Sequence, residues 1–401
     1  MPAAASYDLL LADGDVLDPA TGKQEHLDVA ITNGRIAAID AGIDRGQARR
    51  IVSVAGLTLT PGLIDLHCHG YWGGSYWGIE LDPVCTYSGV TTAVDAGSAG
   101  AYNFPAFRRW IIGQNQTRTL GYLNISSIGL VHSNFELANL RYADVDLAVR
   151  VADANRDVVT GIKARIDVHT VGENGVEPLR RARLAADQLG LPVMVHISSG
   201  PPELRHILDC MRPGDVLTHC HTGHANRVID DQGQLRRDVR EAHDRGVLLD
   251  VGHGQGSFAF ATAERLIDAG ELPDTISTDI HAWNLTGPVF DLPTTLSKYL
   301  LLGMPFAEVV RCATSSVAAA INRPDLGTLA VGATADIAAL AVEEGAFTLT
   351  DSMGKSRPAR QRIVCRLTVR AGQVAYQDSS VTGYTSRRSN MATAAATQAA
   401  T

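Results

Sequence analysis

Basic clusters are missing from this 401-residue chain, as are long apolar runs and paired cysteines. Lysine and arginine number 35 against 43 aspartates and glutamates, a formal net charge of -8, and basic side chains cluster no further than about a pair. A nucleic-acid partner therefore has little electrostatic support. No stretch approaches the roughly 18 unbroken apolar residues of a membrane helix. Residues 1–8 carry no basic segment followed by an apolar one, so neither a membrane span nor a secretory signal is expected. The six cysteines, Cys68, Cys85, Cys210, Cys220, Cys312 and Cys365, are scattered without CxxC spacing in a chain too long to need staples. They read as reduced thiols of a cytoplasmic protein. What is present is 45% apolar residues, enough for one large core and a smaller module.

The first sixty residues alternate short apolar stretches (7–12, 16–17, 27–32, 35–39 and 57–60) with DG, DPATG and NGR punctuation. That pattern predicts a small β module over 1–60. From Pro61 onward, apolar runs alternate with stretches of helical period, which argues for a parallel sheet. Eight runs are strand candidates: 63–67, 90–95, 123–131, 158–163, 192–196, 215–219, 247–251 and 275–279. Helices are predicted between them, at 144–157, 177–189, 234–245 and 257–269, with Gly89, Gly190 and Gly246 as stop signals before strands. Eight such units over 61–324 have the length and count of a closed (β/α)8 TIM barrel, whose functional groups sit at the C-terminal strand ends. Short strands return at 326–332, 335–340, 363–369 and 374–375. The segment 325–378 is thus expected to complete, with 1–60, a small β-sandwich module built from both chain ends. The Ser-, Thr- and Ala-rich tail 379–401 is expected to be disordered.

Four strand candidates end in a metal-capable side chain, and a fifth ends in lysine. His67 and His69, two apart on an extended segment, point the same way and can grip one ion. His196 and His219 close two further apolar runs, and Ser277-Thr278-Asp279 supplies a carboxylate. Imidazoles with one carboxylate suit zinc or a similar divalent ion. His221 shares a face with His219 by the same period, so the choice between them is open; His219 directly ends the run. A bare ammonium at Lys163 would repel a dication and be costly to bury. A neutral lysine that captures carbon dioxide becomes an anionic carbamate, whose two oxygens can bridge two ions.

The spaced set of Pro61-Gly62-Leu63-Ile64-Asp65-Leu66-His67-Cys68-His69, Gly161-Ile162-Lys163, His196, His219 and Ser277-Thr278-Asp279 resembles the amidohydrolase superfamily over nearly the whole chain. Within it, the stretch from His69 to Gly74 and the motif GPVFDLPTTLSKYLLLGM resemble the dihydroorotase-like deacetylase subgroup, binuclear zinc enzymes that cleave acetyl esters or amides of small carboxylic acids. The resemblance implies that His67 and His69 bind the more buried ion and that His196 and His219 bind the more exposed one. Carbamylated Lys163 would bridge both. Asp279 would ligate the first ion and act as general base toward a metal-bridging hydroxide. A small-molecule substrate and a homo-oligomeric assembly are expected.

Arg165, two past Lys163, falls on the same face and could clamp a substrate carboxylate. His253, just after the seventh run, could donate to substrate, and Trp72, Tyr76 and Trp77 could wall the barrel mouth. Cyclic amide hydrolysis of the dihydroorotase or hydantoinase kind, and hydrolysis of N-acyl amino acids or isoaspartyl dipeptides, are the alternatives. A more distant reading takes Leu248-Leu249-Asp250-Val251-Gly252-His253-Gly254-Gln255-Gly256 as similar to the glycine-rich loop of S-adenosylmethionine-dependent methyltransferases.

Overall fold

The computed structural model describes residues 6–385. Seven parallel strands, Leu63–Cys68, Val90–Gly100, Arg118–Asn124, Val159–Ile166, Val193–Ile197, Val216–Thr218 and Leu248–Asp250, lie side by side in chain order in one sheet. Their residues are buried on both faces; Val193, Met194 and Val195 are all fully buried, which is why these segments read as unbroken apolar runs. The eighth candidate makes no ladder. Thr275 bridges Asp250 on one side and Ile280 bridges Cys68 on the other, so this segment closes the barrel through single contacts. Side chains supply what the ladder does not. Asp65 on the first strand accepts hydrogen bonds from the Thr278 backbone N (3.0 Å) and hydroxyl (2.5 Å).

Helices Val145–Asp153, Glu177–Leu189, Arg237–Asp244 and Phe260–Asp268 occupy the predicted places, Glu177–Leu189 with the predicted bounds and the others with shorter ends. Gly190 stops the second of them in the left-handed region (φ +67), its N–H returning to the carbonyls of Ala186 and Asp187. Helix Leu292–Leu301 follows the closing segment, capped by Asp291, whose carboxylate accepts from Thr294 N at 2.8 Å. Among the described residues no helix is long and apolar enough to cross a membrane. All six cysteines are free thiols.

Both chain ends build a second, nine-stranded sheet, as expected. Strand Ile337–Thr350 from the C-terminal part pairs antiparallel with Thr58–Pro61 from the N-terminal part, Ala339 opposite Leu59. Strand Tyr7–Asp18 bends at an irregularity between Leu11 and Gly14; its first half pairs with Ala48–Ser53 and its second half with Thr58–Pro61. Leu9, Leu11, Val29, Val52, Leu59, Ile337 and Leu367 fill the module's core.

Four expectations need correction. The third barrel strand is Arg118–Asn124 rather than 123–131, because Gly129 turns the chain at φ +63 inside the apolar run. Strand Ala48–Ser53 was not anticipated, because the adjacent Arg49 and Arg50 break its apolar alternation. The segment at 326–332 forms turns, although Leu326 and Leu329 are buried. Within the tail expected to be disordered, Gly383–Thr385 pairs with Ala48–Ser53; residues 386–401, like 1–5, lie outside the described residues.

Candidate metal centre

At the C-terminal rim of the first strand, His67 and His69 converge on Asp279 from the closing segment. His67 Nε2 lies 3.3 Å and His69 Nε2 3.1 Å from Asp279 Oδ1. The three offer ligand atoms within 4.8 Å of one another and are all buried. Burial, helped by Lys163 nearby and opposed by Asp279, pushes His67 well below the usual imidazole range. Burial works against charge on Asp279, but His67 and His69 outweigh it and hold the carboxyl well below the usual carboxylate range.

Backing groups fix the ring orientations. Asp250, fully buried, accepts from the hydroxyls of Thr218 (2.7 Å), Thr275 (2.7 Å) and Ser277 (2.8 Å). With its proton given to Asp250, the Thr218 oxygen accepts from His67 Nδ1 at 2.9 Å. The His67 Nε2 lone pair therefore points at the cluster. Outer hydrogen bonds of this kind are what orient metal-binding imidazoles. His69 Nδ1 is held by the Ser98 hydroxyl at 2.8 Å.

His196 and His219 form a second pair. His219 Nδ1 donates to the Gly252 carbonyl (2.6 Å), and His196 Nε2 donates to Asp167 (3.1 Å), whose carboxyl is brought down to about 2 by His196 against the opposing effect of burial. The remaining nitrogens, His196 Nδ1 and His219 Nε2, face each other at 2.7 Å. Burial lowers both pKa values. With each ring's other nitrogen engaged outward, this facing pair of nitrogens can take up a proton or a cation.

Lys163 lies with these groups on the cavity wall. Its amine is buried without a hydrogen-bond partner, and burial brings its pKa down to about 7. Gly97 makes room for it: a Cβ there would meet the Lys163 Cβ at 2.5 Å. An orphaned amine with its pKa brought down to about 7, beside four inward nitrogens and a carboxylate, fits both a pair of divalent ions and a carbamate.

The cavity over this centre, about 400 Å³, is lined by His67, His69, Lys163, Arg165, His196 and Asp279 together with Tyr76, Trp77, Leu130, His281 and Trp283. Arg165 is anchored by one nitrogen, Nη1, at 3.2 Å from both Glu136 Oε1 and the Ser133 carbonyl.

The sequence matches the amidohydrolase family over residues 58–364. This chain belongs to the amidohydrolase family. It is 35% identical to a deacetylase of Enterococcus faecalis over 92% of this chain and 99% of the relative, and 36% identical to a deacetylase of Brucella anthropi over 80% and 81%. Among solved structures, one described as an adenine deaminase superposes with a TM-score of 0.87 at 34% identity, covering 93% of this chain and all of that one. Another, described as a dihydroorotase, gives 0.85 at 33%, covering 92% and 99%.

In this amidohydrolase, His219 and not His221 turns toward the cluster. The strand ends at Thr218 and His219 adopts φ +74, which breaks the alternation that would have put both on one face. His221 instead meets the Tyr299 hydroxyl at 2.6 Å, and burial lowers it to about 3. Two other expected positions fall elsewhere. His253 is buried, stacked on Phe258 and bonded to Lys298, outside the cavity lining. Trp72 is 60% exposed and outside the lining, whereas Tyr76, Trp77 and Trp283 are within it. The methyltransferase alternative does not hold, because the glycine-rich loop serves the cluster: the Gly252 carbonyl orients His219, a Cβ at Gly254 would meet Asp279 Oδ2 at 2.5 Å, and Gln255 and Gly256 line the same cavity.

Sequence reasoning did not single out Asp250, Thr218, Ser98, Asp167 or His281. Asp250 was accessible by its place inside the run Leu248-Leu249-Asp250-Val251, whereas His281 follows Asp279, whose φ of +48 ends the extended geometry. The roles of Ser98 and Asp167 depend on loop geometry.

Proposed function

We propose that this amidohydrolase is a binuclear zinc hydrolase that removes an acyl group, as in deacetylation, from an ester or amide of a small carboxylic acid. The observation that carries the reading is the buried, unpartnered Lys163 amine beside the His67–His69–Asp279 cluster and the His196–His219 pair. His67, His69 and Asp279 would hold one ion, His196 and His219 the other, and carbamylated Lys163 both. Bound there, the ions supply Lewis acidity and an activated water for attack on an acyl carbonyl.

Asp279 takes the proton of the attacking water and passes it to the leaving oxygen or nitrogen. Arg165 keeps donors beyond the single nitrogen bound to Glu136, and with them clamps the substrate carboxylate. Tyr76, Trp77 and Trp283 cover the apolar part of the substrate and exclude water. The deacetylase names of relatives at 35% and 36% identity favour acyl transfer to water. Cyclic amide hydrolysis is the second reading, favoured by the structure described as a dihydroorotase at 33% identity.

A screen of acylated hydroxy acids, acylated amino acids, cyclic amides and isoaspartyl dipeptides against zinc-loaded protein tests the assignment. Turnover is expected on an open-chain acyl carboxylate, with Asp279→Asn lowering kcat by about 10²- to 10⁴-fold. Near-normal turnover by Asp279→Asn contradicts the role given to that carboxylate.

A further inference from the structure

Two features stand outside the chemistry described so far: the His253–Lys298 contact and the motif Gly287-Pro288-Val289-Phe290-Asp291-Leu292 that leads into the helix carrying Lys298. Lys298 is fully buried, yet no carboxylate bonds its amine. Nζ donates to His253 Nε2 at 2.6 Å and to the Pro288 carbonyl at 2.9 Å. His253 Nδ1 in turn donates to the Gly254 carbonyl at 3.0 Å. A second tether reaches the same turn from the other sheet module. At the tip of the hairpin between Ile337–Thr350 and Ser356–Arg370, the Ser352 hydroxyl donates to the carbonyls of His253 (3.1 Å) and Gly254 (2.8 Å), and Ser352 N donates to the Phe258 carbonyl.

The tethered turn lies against the closing segment of the barrel. His253 N donates to the Ser277 carbonyl at 3.1 Å and Gly254 N to the Thr278 carbonyl at 2.9 Å. Gly254, at φ +57, leaves no room for a side chain between itself and Asp279 Oδ2. Asp279 Oδ1 faces His67 and His69 while its other oxygen rests on Gly254. The closing segment joins its neighbours by isolated bridges and single backbone bonds, Asp279 N to the His67 carbonyl at 2.6 Å among them, and the Gly254 turn is the support on the side of Asp279 Oδ2.

We propose that Lys298, acting through His253 and together with Ser352 of the sheet-module hairpin, is a positioning residue that holds the Gly254 turn against Asp279 and so sets the aim of that carboxylate. The inference rests on the proposed function in taking Asp279 as metal ligand and general base. It couples the small sheet module to the chemistry of the barrel, and it gives the helix motif a role.

Zinc affinity by chelator competition, measured beside kcat and KM on the full-length protein, tests it. Lys298→Met keeps the length of the side chain and removes its donors. Its zinc affinity is expected to fall about tenfold and kcat about tenfold, with KM within about threefold, because the substrate carboxylate is held elsewhere. Ser352→Ala, a small change at a half-buried hairpin tip, is expected to move both quantities in the same direction by about threefold, and it decides the matter if Lys298→Met does not fold. Wild-type zinc affinity and kcat in Ser352→Ala, or in a folded Lys298→Met, overturn the inference alone. A wild-type protein that binds no zinc overturns the proposed function and this inference with it.

Discussion

His219 and His221 are two residues apart, yet one is aimed at a cation site and the other supports a helix through Tyr299. His219→Ala is expected to lower the zinc bound per chain, whereas His221→Ala keeps it and costs about 1–3 kcal/mol from the lost buried hydrogen bond. Metal analysis and urea unfolding of the two variants check the contrast; equal zinc loss in both contradicts it. Lys163 makes a prediction about pH. Its folded pKa, about 7, lies below the ordinary 10.5, so between those values the unfolded chain binds more protons than the folded one. Protein freed of metal and carbon dioxide should therefore gain stability as pH rises through that window. Lys298, also near 7 by burial, contributes in the same sense. Lys163→Met reduces the slope without abolishing it, and an unchanged slope in urea midpoints counts against a buried free amine.

Among the elements, the closing segment of the barrel makes no ladder and is held by isolated bridges, single backbone bonds and side chains. Asp65→Ala removes the acceptor for Thr278 and is expected to cost about 3 kcal/mol and to weaken zinc binding, since Thr278 precedes Asp279. Loss of stability with unchanged zinc affinity would show that the segment is held in place by other contacts. The sequence already suggested this segment and the other barrel units, because strands buried on both faces are apolar throughout and glycines mark the helix ends. It misplaced the third strand, where Gly129 turns an apolar run, and missed Ala48–Ser53, whose alternation Ala48-Arg49-Arg50-Ile51-Val52 is broken by two adjacent arginines. Period-two reasoning works for His67 and His69 on an extended segment and fails at His219, where positive φ ends the extended geometry.

For the whole molecule, the split sheet module could be anticipated because both ends share short, punctuated apolar stretches. Its contact with the site could not, since the hairpin tip at Ser352 lies far along the chain from His253 and nothing local marks the approach. The placement of Trp72 outside the cavity and of Trp283 within it is likewise a matter of loop path, which residue type does not encode.

The central claim is that a buried lysine amine becomes an anionic bridge for two cations. Carbon-13 NMR of wild-type protein and Lys163→Ala, each loaded with zinc in labelled bicarbonate, tests it most directly when paired with metal analysis. The account predicts a carbamate resonance and about two zinc ions per chain in the wild type, with loss of the resonance and of bound zinc in Lys163→Ala. Full zinc occupancy without any carbamate signal in the wild type, matched by Lys163→Ala, would contradict it.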